Sequence, residues 1–354
     1  MTVTLDAPAL LVDQQATPAM FLGDHHGCGY YRIRLPARVV GGRVSDWLDV
    51  RGRPDGRREY AGLGPVNLFQ RPSVPALRDA VAEINAIGAR AWVEIDDDVW
   101  ALSYQNAAAV GWPRQAQQCA AQAIRAAAGV TVSTEPLAGI VSRWNRNVVV
   151  IPNAVDPADF PAFVRGARDP AIIRMGYFGS YTHGEDVKLA LSAMLAVARR
   201  PGVELHFGGF DPLAGRSRDP RVTEWREYDG LRYRYHGWAT DLREHYANIA
   251  SLDVAVGPLT RVSFNESKSA IKWIEHAMCG TAMVLSAARP YVDAVTHGET
   301  GFLAKTPADF YKYLTLLVTK PDLRQRIGQA AYAEVSARHT LQARAPLWQE
   351  VLCP

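Results

Sequence analysis

The chain has 354 residues, of which 48% are hydrophobic and 21% charged, with a formal net charge of +3 and four scattered cysteines. That length exceeds one ordinary core, so two domains are expected, and the composition excludes a chain disordered beyond its first residues. No apolar run reaches the roughly 18 to 20 residues of a spanning helix, the N-terminus lacks the basic start of a signal peptide, and no cysteine pair has zinc or disulfide spacing. A cytoplasmic protein without stable membrane insertion or a metal centre is expected.

The run "AMFLG" (19–23) predicts a first strand, followed by the turn "GDHHGCGYYRIRLPA". Glycines after a strand let backbone amides approach a ligand, and a following helix N-terminus favours an anion. Gly27 and Gly29 form only part of a dinucleotide fingerprint, because Arg32 stands where the third glycine belongs. A plain tight turn explains them equally well. His26 in this turn is a candidate base toward a hydroxyl. Residues 32 to 58 hold eight arginines against three aspartates, which read either as scattered solvated charges or as a local basic surface toward DNA phosphates.

Alternating strands and helices follow: "VNLFQ" (66–70), "VPALRDAVAEINAIG" (74–88), "ARAWVEI" (89–95), "GVTVS" (129–133), "TEPLAGIVSRW" (134–144) and "NVVVIPNAV" (147–155). That order predicts parallel crossover units in a doubly wound sheet. Asp96, Asp97 and Asp98 end one strand, where function concentrates in such sheets. Hydroxyl recognition or catalysis competes there with helix capping by one aspartate. A Pro, Ala and Asp-rich stretch over 156–169 reads as a linker.

The rhythm restarts with "IRMGYFGS" (173–180), a helix over 184–200, and strands over 203–209, 231–238 and 252–259. A strand over 281–287 and two helices complete the second half. The turn holding Gly179, Ser180 and His183 suits a phosphate held by amides and hydroxyls, with an ordinary cap by Ser180 or Thr182 as the alternative. "FNESKSAIKWIEHAMCG" (264–280) reads as one helix, with Lys268, Lys272 and Glu275 in a single stripe beside the apolar Ile271, Ile274 and Met278. A solvated face with a Lys272–Glu275 ion pair is the plain alternative.

In the order "IPNAVD", "YFGSYTHGED", "LHFGGF", "YHGW", "FNESKSAIKWIEHAMCG" and "THGETGFLA", the second half resembles the nucleotide-sugar domain of GT-B glycosyltransferases. It is most similar to the large retaining group typified by sucrose and mannosyl transferases. "GCGYYRIRLPA", "NLFQR" and "EIDDDVW" resemble a bacterial or phage-encoded branch. The resemblance implies an α/β GT-B fold of two Rossmann-like, doubly wound domains facing across a cleft. Residues 1–155 would bind the acceptor and 156–339 the nucleotide sugar, with a helix in 340–354 crossing back. It also implies a nucleoside-diphosphate sugar donor such as a UDP- or GDP-sugar, often no metal, and an acceptor that is a saccharide, protein or modified DNA base.

By this resemblance Glu275 binds the ribose, Gly179 and Ser180 form the phosphate turn, Lys268 and Arg261 are candidate cations, and Gly237 and Trp238 mark the base site. The family's first glutamate falls at Ser267, a departure that leaves Asn265, Ser267 and Lys268 as the candidates for reading the donor sugar. The rival classes are a nucleotide-dependent oxidoreductase, motivated by the partial glycine fingerprint, and a non-catalytic nucleic-acid-binding protein.

Overall fold

A computed structural model describes residues 17–46, 49–52, 58–86, 88–104, 106–160, 171–213, 223–239 and 241–354. These fall into two compact units, one built from residues up to Leu102 with Ala109–Asn153 and Leu341–Pro354, the other from Ser103–Ala108 and Ala154–Thr340.

In the first unit the strands are β1 (Ala19–Phe21), β2 (Arg43–Ser45), β3 (Asp49–Gly52), β4 (Arg58–Ala61), β5 (Val66–Gln70), β6 (Arg90–Ile95), β7 (Gly129–Val132) and β8 (Val148–Val150). β3 and β4 form a separate antiparallel ribbon, and the others form one sheet ordered β2-β1-β5-β6-β7-β8. All its pairings are parallel. Because both faces are covered, the central strands are apolar along most of their length. Phe69, Val93, Ile95 and Val130 pack to one side with Val81 and Ile124 from the following helices. Leu68, Trp92 and Ile33 pack to the other with Trp348 and Val351 of the C-terminal helix Leu341–Leu352.

The helical stretch after β1 runs from Gly27 to Val40 and widens into a π-turn over Tyr30–Arg34. Pro36 has no N–H to give the Arg32 carbonyl, which removes one bond of the α-ladder there. The widened turn sends Arg32 inward: Nε lies 2.6 Å from Glu94 Oε1, and Nη1 donates to Ile151 O at 2.6 Å and to Asn153 Oδ1 at 3.1 Å. Arg32 is 1% exposed, so it leaves the expected basic surface. Arg34 and Arg43 remain at the surface, partnered by Asp46 and Gly62 O. Arg53 and Arg57 lie outside the described residues.

In the second unit the strands are β9 (Ile173–Phe178), β10 (Val203–Gly208), β11 (Thr223–Tyr228), β12 (Leu231–His236), β13 (Val254–Gly257), β14 (Ala282–Ser286) and β15 (Phe302–Ala304). Their order is β11-β12-β10-β9-β13-β14-β15, with only β11 antiparallel to its neighbour. Without β11 this is the 3-2-1-4-5-6 winding of a dinucleotide-type fold, whose ligand crevice opens where the order reverses, between β9 and β13. Helices Gly184–Ala198 and Pro307–Thr319 cover one face, with Val187, Met194, Phe310 and Leu314 in the core. Of the linker read over 156–169, Pro157–Asp159 forms a short turn and residues 161–170 lie outside the described residues.

The segment 264–280 is two helices, Ser263–Glu266 and Ile271–Met278, rather than one. Ser267 Oγ donates to Phe264 O at 3.1 Å, and the Asn265 amide turns to Asp186 and Thr260. Such local side-chain bonds compete with the helical ladder and interrupt it. Lys268 therefore sits in the break, off the helix that carries Lys272 and Glu275. No helix among the described residues is long and apolar enough to cross a membrane.

Candidate functional site

The crevice between β9 and β13 is organised by Asp186, in the first turn of helix Gly184–Ala198. Its Oδ1 accepts from Thr260 N at 2.8 Å, Thr260 Oγ1 at 2.6 Å and Asn265 Nδ2 at 2.9 Å, and Oδ2 lies 2.8 Å from His183 Nδ1. Burial pushes the Asp186 carboxyl up, but the hydrogen bonds from His183 and Thr260 outweigh it and hold Asp186 below its usual range. An acceptor-only carboxylate requires the hydrogen of a neutral His183 on Nδ1, leaving Nε2 as a bare acceptor. Burial, reinforced by the charges of Lys268 and Lys272, holds the His183 imidazole below its usual pKa against the pull of Asp186.

Gly179 opens the turn after β9. A Cβ there would stand 2.4 Å from Tyr177 Oη and 3.1 Å from Lys272 Nζ, so the absence of a side chain leaves the ammonium accessible from the turn. Ser180 accepts from Thr182 N at 3.3 Å and caps the short turn Tyr181–His183. Lys272 Nζ donates to Phe178 O at 2.5 Å and lies 4.8 Å from the Tyr177 ring centroid. Of the three N–H groups of an ammonium, two are then without a hydrogen-bond partner among the described residues. Burial lowers the Lys272 pKa, partly offset by the charges of Glu275 and Asp186.

Glu275, 8% exposed, lies 3.5 Å from His245 Nε2. Lys268 Nζ stands 4.2 Å over the Phe264 ring. Gly209, at φ +74°, adopts a left-handed conformation beside Gly179, and a Cβ there would lie 3.1 Å from the Trp238 ring. Gly209 N donates to His236 O at 3.0 Å, next to buried Gly237.

The fold thus brings Gly179, Ser180, His183, Asn265, Lys268 and Glu275 to one crevice, with Gly237 and Trp238 alongside. Ser267 is buried and bonded to its own turn. Arg261 is turned to the surface, 3.5 Å from Glu266 Oε1. Sequence reasoning left Lys272 as a member of a stripe and missed Asp186, Thr260 and Tyr177. An aspartate in the first turn of a helix ordinarily reads as a complement to its dipole. Nothing local marks it as a hub.

The corresponding crevice of the first unit lies between β1 and β5. Arg71, just after β5, has φ +49°. Its Nε lies 2.5 Å from Asp96 Oδ1, and Nη2 lies 3.0 Å from Asp97 Oδ2 and 3.3 Å from Cys28 Sγ. Asp96, Asp97 and Cys28 bring one ligand atom each within 4.8 Å of one another, and the guanidinium supplies positive charge to all three. Burial pushes the Cys28 thiol up, which keeps it neutral, so the cluster is net negative. Asp98 is buried and accepts from the backbone of Trp100 and Ala101 in a turn, and no helix among the described residues begins there for it to cap.

The glycine turn is filled from within. Asp24 Oδ1 accepts from His26 N at 2.8 Å and Gly29 N at 3.4 Å, taking the place of an external anion. Gly29 and Gly23 allow close backbone packing, since a Cβ would meet Asp24 O at 1.7 Å and Gln70 O at 2.3 Å, whereas one on Gly27 meets nothing nearer than 3.9 Å. The His26 side chain is exposed.

A family model described as "Glycosyl transferase-like" matches residues 190–350. Among solved structures, HepE from Anabaena in complex with UDP-glucose is similar over 96% of this chain and 100% of its own, with TM-score 0.66 and 15% identity. Sucrose-phosphate synthase from Thermosynechococcus elongatus aligns over 95% and 98% of the two chains, with TM-score 0.65 and 14% identity. A glycosyltransferase from Rickettsia africae aligns over 81% and 76%, with TM-score 0.53 and 10% identity. No curated protein matches the chain. The chain has the GT-B fold, and its residues 190–350 match the glycosyl transferase-like family model.

Proposed function

We propose that the protein transfers a sugar from a nucleoside-diphosphate sugar to an acceptor hydroxyl, with the donor bound in the β9/β13 crevice of the second unit. The observation that carries this reading is Lys272: a half-buried ammonium with two unfilled N–H groups beside a glycine turn. As the bond from the sugar to the diphosphate breaks, negative charge grows on the leaving group. Lys272, the Ser180 amide and Lys268 would stabilise it. Glu275 is assigned to the ribose, and Gly237 with Trp238 to the base. HepE was crystallised with UDP-glucose, which supports a UDP-sugar as the first donor to test.

The acceptor hydroxyl is assigned to the first unit, where Asp96 and Asp97 are the candidate bases. The net negative balance around Arg71 favours an uncharged, saccharide-type acceptor over DNA. Retention of anomeric configuration follows from the resemblance of the second half to the retaining group. A thermal-shift screen of UDP, GDP, ADP and TDP and their sugars tests the donor assignment, since a ligand of the folded state raises the melting temperature. A rise with one nucleotide, lost in Glu275→Ala, is the expected result. No rise with any of them would sink the reading.

A further inference from the structure

We propose that His183 is a proton-linked ligand of the donor: binding of the diphosphate places a proton on His183 Nε2, which then donates a hydrogen bond to a phosphate oxygen. This deepens the reading above and rests on it. The geometry carries it. Asp186 holds Nδ1–H at 2.8 Å and is itself held by three further hydrogen bonds from Thr260 and Asn265, so the imidazole has one orientation and one tautomer. Its second nitrogen has no hydrogen-bond partner among the described residues, and the ring stands directly before helix Gly184–Ala198, beside the Gly179–Ser180 turn.

The charged groups facing His183 are Asp186 from its own helix, Lys268 from the break after Glu266, and Lys272 from helix Ile271–Met278, where Glu275 in turn faces Lys272. Tyr177 of β9 faces Asp186 and stays a neutral phenol, its pKa raised by burial and by that carboxylate. With the crevice empty, burial and the two lysines keep the imidazole neutral. A diphosphate between these groups reverses the local sign. It screens both lysines and offers an acceptor to the Nε2–H that only the imidazolium possesses. The sign follows: the bound-state pKa lies above the free-state value, so a proton is taken up on binding, and affinity falls as pH rises through the bound-state value, by at most about tenfold per pH unit for one proton.

The test is titration calorimetry with UDP-glucose, whose diphosphate has no group titrating near neutrality, in buffers of different ionisation enthalpy from about pH 5.5 to about 8.5. Proton uptake of up to one equivalent is expected in the wild type. It should vanish, with the pH dependence of affinity, in His183→Asn, whose amide can still donate to Asp186. Binding without uptake in the wild type, or unchanged uptake in His183→Asn, would overturn this inference and leave the donor assignment standing. If UDP-glucose does not bind, the GDP, ADP and TDP sugars replace it. Failure of all four would remove the donor assignment and this inference with it.

Discussion

The two units present the same architectural feature, a turn at the point where strand order reverses, with opposite electrostatics. In the first, the His26 and Gly29 amides of the glycine turn are taken by Asp24, and the Arg71 guanidinium is shared among Asp96, Asp97 and Cys28. In the second, Asp186 takes up the side chains that would otherwise crowd the crevice, while Lys272 and His183 keep unfilled hydrogen-bonding capacity. One crevice is internally neutralised and slightly acidic, and the other holds cations in reserve. A repeated fold sets where ligands bind. The partner each charge has already found sets which ligands those are.

The largest effect that separates the two units is structural. Arg32→Met leaves the buried Glu94 carboxyl, which burial already pushes up against the pull of Arg32, without its partner. It should destabilise the protein by about 3–5 kcal/mol in urea unfolding, whereas replacing both partners with apolar residues should recover most of that. Equal loss in the double variant would show that the ion pair does more than neutralise its own members.

Next in size, Lys272→Met should weaken UDP-glucose binding about 10- to 150-fold, the worth of one hydrogen bond to a charged group, while Arg71→Met leaves donor affinity unchanged. Equal losses in the two variants would break the contrast between the crevices. The glycines sharpen it further. Gly179→Ala puts a methyl 2.4 Å from Tyr177 Oη and 3.1 Å from Lys272 Nζ, so donor affinity should fall at least several-fold by calorimetry. Gly27→Ala meets nothing nearer than 3.9 Å and should change neither binding nor melting temperature appreciably.

The smallest effect is a pH slope. Burial, with the charges of Arg174 and Arg234, holds His206 down to about 4, and burial with His206 and Arg234 does the same for His236. Their rings pair through Nδ1 and Nε2 at 3.0 Å. Because both folded values lie below the unfolded one, their contribution to stability is complete above about pH 6.5 and is lost as pH falls toward 4. Thermal unfolding of His206→Gln should show a shallower slope over that window than the wild type.

Much of the fold was legible beforehand. Strands from "AMFLG" to "TAMVLSA" and the helices between them follow from apolar runs, period and turn residues, and the parallel winding follows from their alternation. The crevice residues were legible only in part. Gly179, Ser180 and Glu275 stand out by position after strands and by resemblance. The single helix read over 264–280 did not form, because Ser267 and Asn265 bond to groups that periodicity cannot see. Arg32 looked like surface charge until a π-turn sent it to Glu94.

What the amino-acid order determined alone was the local layer: which stretches extend or coil, where they turn, and that two sheet-and-helix units follow one another. What only the tertiary structure decided was the state of each charge. Asp186 lies 74 residues from Thr260 and 79 from Asn265, and Arg71 lies 25 from Asp96. At such separations a side chain's partner is set by strand order and packing, and the partner decides whether a charge is spent within the protein or held for a ligand.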